Sequence, residues 1–196
     1  MNRTVMLILS ALALLAASCA SNRPTQFYTL SPMVTKTAAA PAECAVSVGP
    51  VSVPAAVDRP QIVLQTGPNQ VFIAEFDRWA APLKEDIPRV VAHNLASLLG
   101  TSQVTVFPQL AASEASYRVV IDILQLESVS DKEAILDTRW TVSSPKDGRS
   151  LSNRMKIEEP ARGGGYAELV AAHSRAIAQL SGRIADTIRE MERQKQ

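Results

Sequence analysis

The sequence has 196 residues, with 20 Lys+Arg against 19 Asp+Glu and a formal net charge of +1. That balance excludes a nucleic-acid binder, which would need a basic face, and no block of five like charges forms an electrostatic tail. With only two cysteines, a disulfide framework is excluded as well.

The N-terminus reads as an export signal. Arg3 precedes Val5–Ala17, which is apolar apart from Ser10, and Ala16-Ala17-Ser18-Cys19 closes the run. A positive start, a short apolar stretch and small residues at its end are the layout of a secretory signal peptide. The run is shorter than the ~20 apolar residues of a membrane-spanning helix, and Ser21, Asn22 and Arg23 follow at once. Cys19 makes the segment resemble a bacterial lipoprotein signal, in which the sulfur receives a diacylglyceryl group and cleavage leaves the Cys first in the mature chain. Such signals prefer Leu where Ala16 stands, with Leu15 one place early, so plain secretion is the alternative. Ala20, not Asp, follows the Cys, which under the lipoprotein sorting rule directs the chain to the outer membrane. Residues 1–18 are therefore expected to be a signal peptide, leaving 178 residues. Residues 19–43 would hold the acylated Cys, a tether, a short first strand and a loop, and 44–192 one α+β domain.

In chain order, Ala20–Gln26 is a polar tether and Phe27-Tyr28-Thr29-Leu30 has strand content. Pro32–Glu43, rich in Ala, Thr and Pro, reads as a loop. Ala45–Val53 alternates, with a Gly49-Pro50 break that predicts a bulge or bend in an edge strand. Cys44 opens this run and reads as a buried, inert thiol; pairing between copies is the minority alternative for an odd cysteine. Ile62-Val63-Leu64 and Val71-Phe72-Ile73 flank Thr66-Gly67-Pro68-Asn69, a hairpin signal. Leu83, Ile87, Val91, Leu95 and Leu98 then recur at helical spacing, with Pro82 at the start and Gly100 just past the end. Pro88 conflicts with a straight helix from Pro82, so the helix either kinks there or begins near Asp86.

Val104–Phe107 reads as a short strand ending at Pro108. Three alternating strands follow. Their apolar faces are Tyr117, Val119, Ile121, Ile123; then Ala134, Leu136, Thr138, Trp140, Val142; then Leu151, Met155, Ile157. Arg118, Asp122, Glu133, Asp137, Arg139, Arg154 and Lys156 are expected outward, and Pro145-Lys146-Asp147-Gly148 is a turn. After a Gly163-Gly164-Gly165 joint, a helix runs from Tyr166 to about Met191 with Leu169, His173, Ala176, Ile177, Leu180, Ile184 and Ile188 on one stripe. Its charged end, Arg189 to Lys195, reads as solvated. The fold class expected is α+β: an antiparallel or mixed sheet with two main helices packed on one face.

Catalytic chemistry is not signalled. There is no phosphate-binding loop and no Gly-x-Ser-x-Gly elbow. His93 and His173, one per predicted helix, lack companion metal ligands and read as boundary residues. Glu158-Glu159 beside Pro160 reads as solvated loop charge, and the glycine triplet beside Arg162 as a hinge. No enzyme, cofactor or metal is expected.

Two segments carry contact chemistry. Arg78-Trp79, with Phe76 before it, has the residue types enriched at interfaces; alternatively Trp79 packs beneath the helix start while Arg78 pairs with Asp77 or Glu75. Asp58-Arg59-Pro60 reads as a rigid turn with a charged pair. Cys19 is the candidate lipid attachment, and Asp58, Arg59, Pro60, Arg78 and Trp79 the candidate interface.

These segments also carry a resemblance. Phe27-Tyr28-Thr29-Leu30, then Val48-Gly49-Pro50-Val51-Ser52-Val53-Pro54, Asp58-Arg59-Pro60-Gln61-Ile62-Val63, Arg78-Trp79-Ala80-Ala81-Pro82-Leu83 and Asn94-Leu95-Ala96-Ser97-Leu98-Leu99-Gly100 occur in order. Together with Tyr166–Val170 and Leu180–Ala185, they resemble the PqiC-type family of ABC transport auxiliary lipoproteins over nearly all of the mature chain. Ala81 departs from a pattern in which a carboxylate is common. The resemblance implies an outer-membrane lipoprotein facing the periplasm. Its implied partner is a mammalian-cell-entry (MCE) domain protein that works with an inner-membrane permease and an ATPase to move lipids between membranes. A homo-oligomeric ring would suit a tunnel end with rotational symmetry. The alternative is a stand-alone envelope lipoprotein that binds cell wall or assists outer-membrane assembly.

Overall fold

The computed structural model describes residues 23–34, 42, 44–108 and 115–194. Cys19 with the signal segment, most of the Pro32–Glu43 stretch and Lys195 lie outside the described residues.

Eight strands form one mixed sheet: β1 Gln26–Tyr28, β2 Val46–Ser52, β3 Gln61–Gly67, β4 Gln70–Trp79, β5 Val104–Val106, β6 Tyr117–Val129, β7 Glu133–Ser143 and β8 Ser150–Pro160. Two helices complete the fold, α1 Leu83–Leu99 and α2 Tyr166–Arg193. This is the α+β arrangement expected, with the sheet curled around its helices.

The long strand β6 organises the sheet. Along one edge it pairs antiparallel with β7 from Arg118 to Val129, and β8 pairs antiparallel with β7. Its other edge is shared. β2 lies parallel to its first half, Tyr117 to Asp122, and β3 meets its last residues, Ser128 and Val129, also parallel. β3 and β4 form the expected hairpin, and β1 adds to the far edge of β4 in parallel.

One expectation fails here. β2 is internal, held between β5 and β6. The Gly49-Pro50 break does interrupt the register between Val48 and Val51, but it accommodates a neighbour. Gly49 sits at φ +116°, and a Cβ there would lie 3.4 Å from the Phe107 Cβ. The end of β5 closes on that site, with the Phe107 N–H donating to the Val48 carbonyl at 2.9 Å. A positive φ beside a close backbone approach is what glycine permits.

Helix α1 runs unbroken from Leu83, and Pro88 lies inside it. Proline at that point removes a bond to the carbonyl of Lys84, and Lys84 is exposed, so water can take its place. Glu85 and Asp86 in the first turn suit the positive end of the helix dipole. Gly100 closes the helix in the left-handed conformation, φ 66°, its N–H bonded to the Ala96 carbonyl. Helix α1 packs on β2 and β5, α2 on β7 and β8, and the helices on each other. Their contact includes a buried hydrogen bond in which Asn94 Nδ2 donates to Ser181 Oγ at 3.2 Å.

The core is the inner face of the sheet with the inward stripes of both helices. Val46, Val48, Ile62, Tyr117, Val119, Ile121, Leu136 and Val142 meet Ile87, Val91, Leu95, Ile177, Leu180, Ile184 and Ile188. Cys44 is buried among them, as expected.

Several polar residues depart from their expected exposure. Asp137 is buried in a two-bond pair with Arg154, at 3.0 and 2.6 Å. The Arg154 hydrogen bonds hold its carboxyl below the usual carboxylate range. Glu159 belongs to β8, not to a loop, and accepts bonds from Arg175 Nε at 2.6 Å and Gln179 Nε2 at 2.7 Å, tying β8 to α2. Arg189 is not simply solvated either: its guanidinium donates to the Leu98 carbonyl at 2.6 Å, at the last turn of α1.

Candidate functional site

The two segments singled out for contact chemistry are brought together at one end of α1. After β2 the chain turns tightly. The Val57 and Asp58 N–H groups bond the Pro54 carbonyl, and the Arg59 N–H bonds that of Val57. Pro60 then leads into β3. Gln61 stands opposite Arg78 at the end of β4, and the Trp79 N–H donates to the Pro60 carbonyl at 2.7 Å. On the other side, the Ala80 N–H donates to the Tyr28 carbonyl at 2.7 Å. Backbone bonds from both neighbouring strands thus fix the stretch that enters α1 at Pro82.

Between these segments lies a cleft of about 390 Å³ lined by Asp58, Arg59, Pro60, Trp79, Ala80, Ala81 and Pro82. Its walls are mostly apolar, from the prolines, the alanines and the edge of Trp79. Its rim is charged: Lys84 Nζ lies 2.6 Å from Asp58 Oδ2, and Arg59 is exposed. Arg59 makes no ion pair among the described residues. Apolar centre and charged rim are the anatomy of a protein-binding surface.

Trp79 itself is 7 % exposed. Its indole meets the His173 ring edge-on at 6.2 Å between centroids, which fixes it beneath the cleft. Arg78 turns to Glu75, donating from Nε to the Glu75 carbonyl at 3.2 Å. Asp77 is instead buried, accepting from the Tyr28 hydroxyl at 2.9 Å and facing Arg23 at 3.5 Å. Burial, then the Asp77 hydrogen bond, push the Tyr28 phenol above its ordinary value. The sequence offered Asp77 only as a partner for Arg78; its bond to Tyr28 was not legible, because strand alternation says nothing of a neighbour 49 residues away.

The histidines separate. His93 is on the surface, whereas His173 is 1 % exposed, a correction to its expected boundary position. Its Nε2 lies 2.8 Å from the Ser128 hydroxyl, and desolvation lowers its pKa to about 4. Among the described residues no group of three or more His, Cys, Asp or Glu side chains is placed to hold a metal ion, and no helix is long and apolar enough to cross a membrane.

Among curated proteins none matches the chain. Among solved structures, a Xanthomonas campestris protein of the DUF330 family superposes with a TM-score of 0.71 at 18 % identity, covering 87 % of this chain and 98 % of its own. An uncharacterized protein of known crystal structure superposes at 0.70 with 22 % identity, over 85 % of this chain and 99 % of its own. At these identities the likeness is one of fold. The family model of the ABC-type transport auxiliary lipoprotein component matches residues 28–185, which takes in every strand from β2 to β8, both segments lining the cleft, α1 and most of α2. The chain belongs to the family of ABC-type transport auxiliary lipoprotein components.

Proposed function

We propose that this chain is an outer-membrane lipoprotein, anchored through Cys19 and facing the periplasm. In this reading it is the auxiliary subunit that docks an MCE-domain protein of an ABC lipid transporter to the outer membrane. It binds its partner and carries out no chemistry. The observation that carries the reading is the cleft: Asp58-Arg59-Pro60 and Trp79-Ala80-Ala81-Pro82, far apart in sequence, share one rigid, apolar, charge-rimmed surface. Such a surface suits an inserted apolar side chain bordered by polar contacts. A lipid thioether on Cys19, with the further chains of a bacterial lipoprotein, supplies more than the two signals stable anchoring needs. A ring of copies would match the symmetry of a tunnel end.

The test is affinity capture of the tagged full-length chain from detergent-solubilised envelopes, wild type beside Cys19→Ala, with mass spectrometry of what is recovered. An MCE protein, with or without its permease and ATPase, is the expected result, and its loss with Cys19→Ala shows that docking depends on the anchor. Recovery of cell-wall or outer-membrane assembly factors alone overturns the transporter reading in favour of a stand-alone lipoprotein.

A further inference from the structure

The β3–β4 hairpin is unlike the rest of the surface. From Gln61 to Ala74 the sequence has no charged residue, in a chain that is 20 % charged. Yet the hairpin is exposed: Val71 by 54 %, Phe72 by 52 % and Ile73 by 41 %. Val71 and Ile73 face outward with their cross-strand neighbours Gln65 and Val63, and Val71 borders the same hollow as Val57, Val63 and Leu124. Phe76 extends the patch. Gln61 stands opposite Arg78 while Val63 stands opposite Ile73, so Ala74–Asp77 bulge out against Ile62 alone, and Phe76 projects from that bulge. Phe72, opposite Leu64, stands on the other face of the strand from Val71 and Ile73, so exposed apolar side chains flank the β4 edge on both sides; exposed apolar surface of this kind marks a contact surface.

What covers it follows from where the chain enters the fold. β1 runs parallel to β4, with Gln26 beside Asp77, so residues before Gln26 approach from the Phe76 side, toward the hairpin turn. Arg23, the first described residue, is held to Asp77 at 3.5 Å. Cys19 lies four residues earlier, so it can be no more than about 14 Å from Arg23. Ile73 is four residues from Asp77 along β4, about the same distance. The chain therefore enters the fold beside Asp77 and Phe76, within one tether length of the anchor residue.

We propose that the β3–β4 hairpin is a membrane-seating surface, which lays Val71, Phe72, Ile73 and Phe76 into the leaflet that holds the acyl chains of Cys19. The inference rests on the acylation of Cys19 in the reading above. Seating is shallow. Among the described residues nothing pairs with the edge of β4 from Gln70 to Phe76, and unpaired backbone groups are not tolerated in hydrocarbon. The side chains reach the acyl boundary while the backbone stays at headgroup level, about 5–10 Å deep, as in other interfacial elements. The stretch from Gln61 to Ala74 carries no charge, and Glu75 at its border is acidic, so seating draws nothing from anionic lipid and resists salt.

The test uses the full acylated protein in phosphatidylethanolamine–phosphatidylglycerol vesicles. An environment-sensitive fluorophore is placed through Phe72→Cys, with Asn69→Cys as a second hairpin site and Lys146→Cys in the β7–β8 turn as the control. Cys44 is buried and leaves the introduced thiol as the labelled one. The expected result is a blue shift at position 72 with quenching by lipid-borne quencher, unchanged by 0.5 M salt in keeping with the absence of charge from Gln61 to Ala74 and absent at position 146. If Phe72→Cys does not fold, Asn69→Cys decides by the same comparison. Labels at 69 and 72 that stay as water-exposed as that at 146, on protein that floats with the vesicles, overturn the proposal and leave the anchor reading standing. Hairpin labels shielded only when a protein partner is added overturn it in favour of a protein interface. A chain whose intact mass shows no acyl groups removes the anchor, and the proposal falls with it.

Discussion

Ser128 at the end of β6 and His173 in the second turn of α2 meet at 2.8 Å, Oγ to Nε2, in the core beneath the cleft. The His173 ring also meets the Trp79 indole in a T-shaped contact, 6.2 Å between centroids. One buried imidazole thus joins the last turn of the central strand, the long helix and the indole on which the cleft rests.

That imidazole should make stability depend on pH. In the unfolded chain His173 takes up a proton near pH 6.5; in the fold, desolvation delays this to about 4. Between those values the unfolded state binds more protons, so stability is full above pH 6.5 and declines as pH falls toward 4. The loss attributable to His173 is about 3 kcal/mol by pH 4. Urea unfolding at a series of pH values, wild type beside His173→Gln, checks this. The variant should start less stable but fall less steeply, and equal slopes would reject the assignment.

Asp86 ties the N-terminal segment to α1. Its Oδ2 accepts the Leu30 N–H at 2.9 Å, while Oδ1 accepts from Arg89 at 2.6 and 2.9 Å. Replacing it leaves a buried N–H without an acceptor. Asp86→Ala should cost about 2 kcal/mol, and Asp86→Asn, which keeps an acceptor, should cost less. Denaturant midpoints of the two variants decide; an Asn variant as unstable as the Ala variant would show that charge, not hydrogen bonding, matters.

Gly100 is required by its conformation. At φ 66° it closes α1 in the left-handed region, where a Cβ is strained. Gly100→Ala is expected to destabilise by about 1 kcal/mol, measured by thermal or urea unfolding, with Gly182→Ala as a contrast. Gly182 lies within α2 with open space around its Cα, so there alanine should stabilise by about 0.5–1 kcal/mol.

The cleft rim separates binding from folding. Arg59 and Lys84 are exposed, so Arg59→Glu with Lys84→Glu, which also breaks the Lys84–Asp58 pair, should cost no more than about 1 kcal/mol of stability. Recovery of the captured partner should fall about tenfold or more, because a charge reversal at a rim sets repulsion against a complementary surface. Undiminished capture would move the docking surface elsewhere on the molecule.

Local pattern was enough for the elements. Period-two alternation placed the faces of β6, β7 and β8, the turn residues between Leu64 and Val71 placed the β3–β4 hairpin, and a period-3.6 stripe with Gly100 placed α1 and its C-terminal end, whereas Pro88 left its start open. These signals depend on neighbours within a few residues, which is why they were legible. The short apolar run ending at Cys19 is a pattern of the same kind, and the expected lipid attachment rests on sequence alone. Pairing over distance was not legible. That β2 is internal depends on β5 and Phe107 closing over Gly49 from 58 residues away, and the burial of Asp137 and His173 and the half-burial of Glu159 depend on Arg154, Ser128 and Arg175 brought by other strands and by the helix. The candidate contact segments were visible as residue types, Asp58-Arg59-Pro60 and Arg78-Trp79. That they form two sides of one cleft was decided only in three dimensions, where the Trp79 N–H reaches the Pro60 carbonyl and the parallel addition of β1 sets the chain's entry beside the exposed apolar residues of the β3–β4 hairpin.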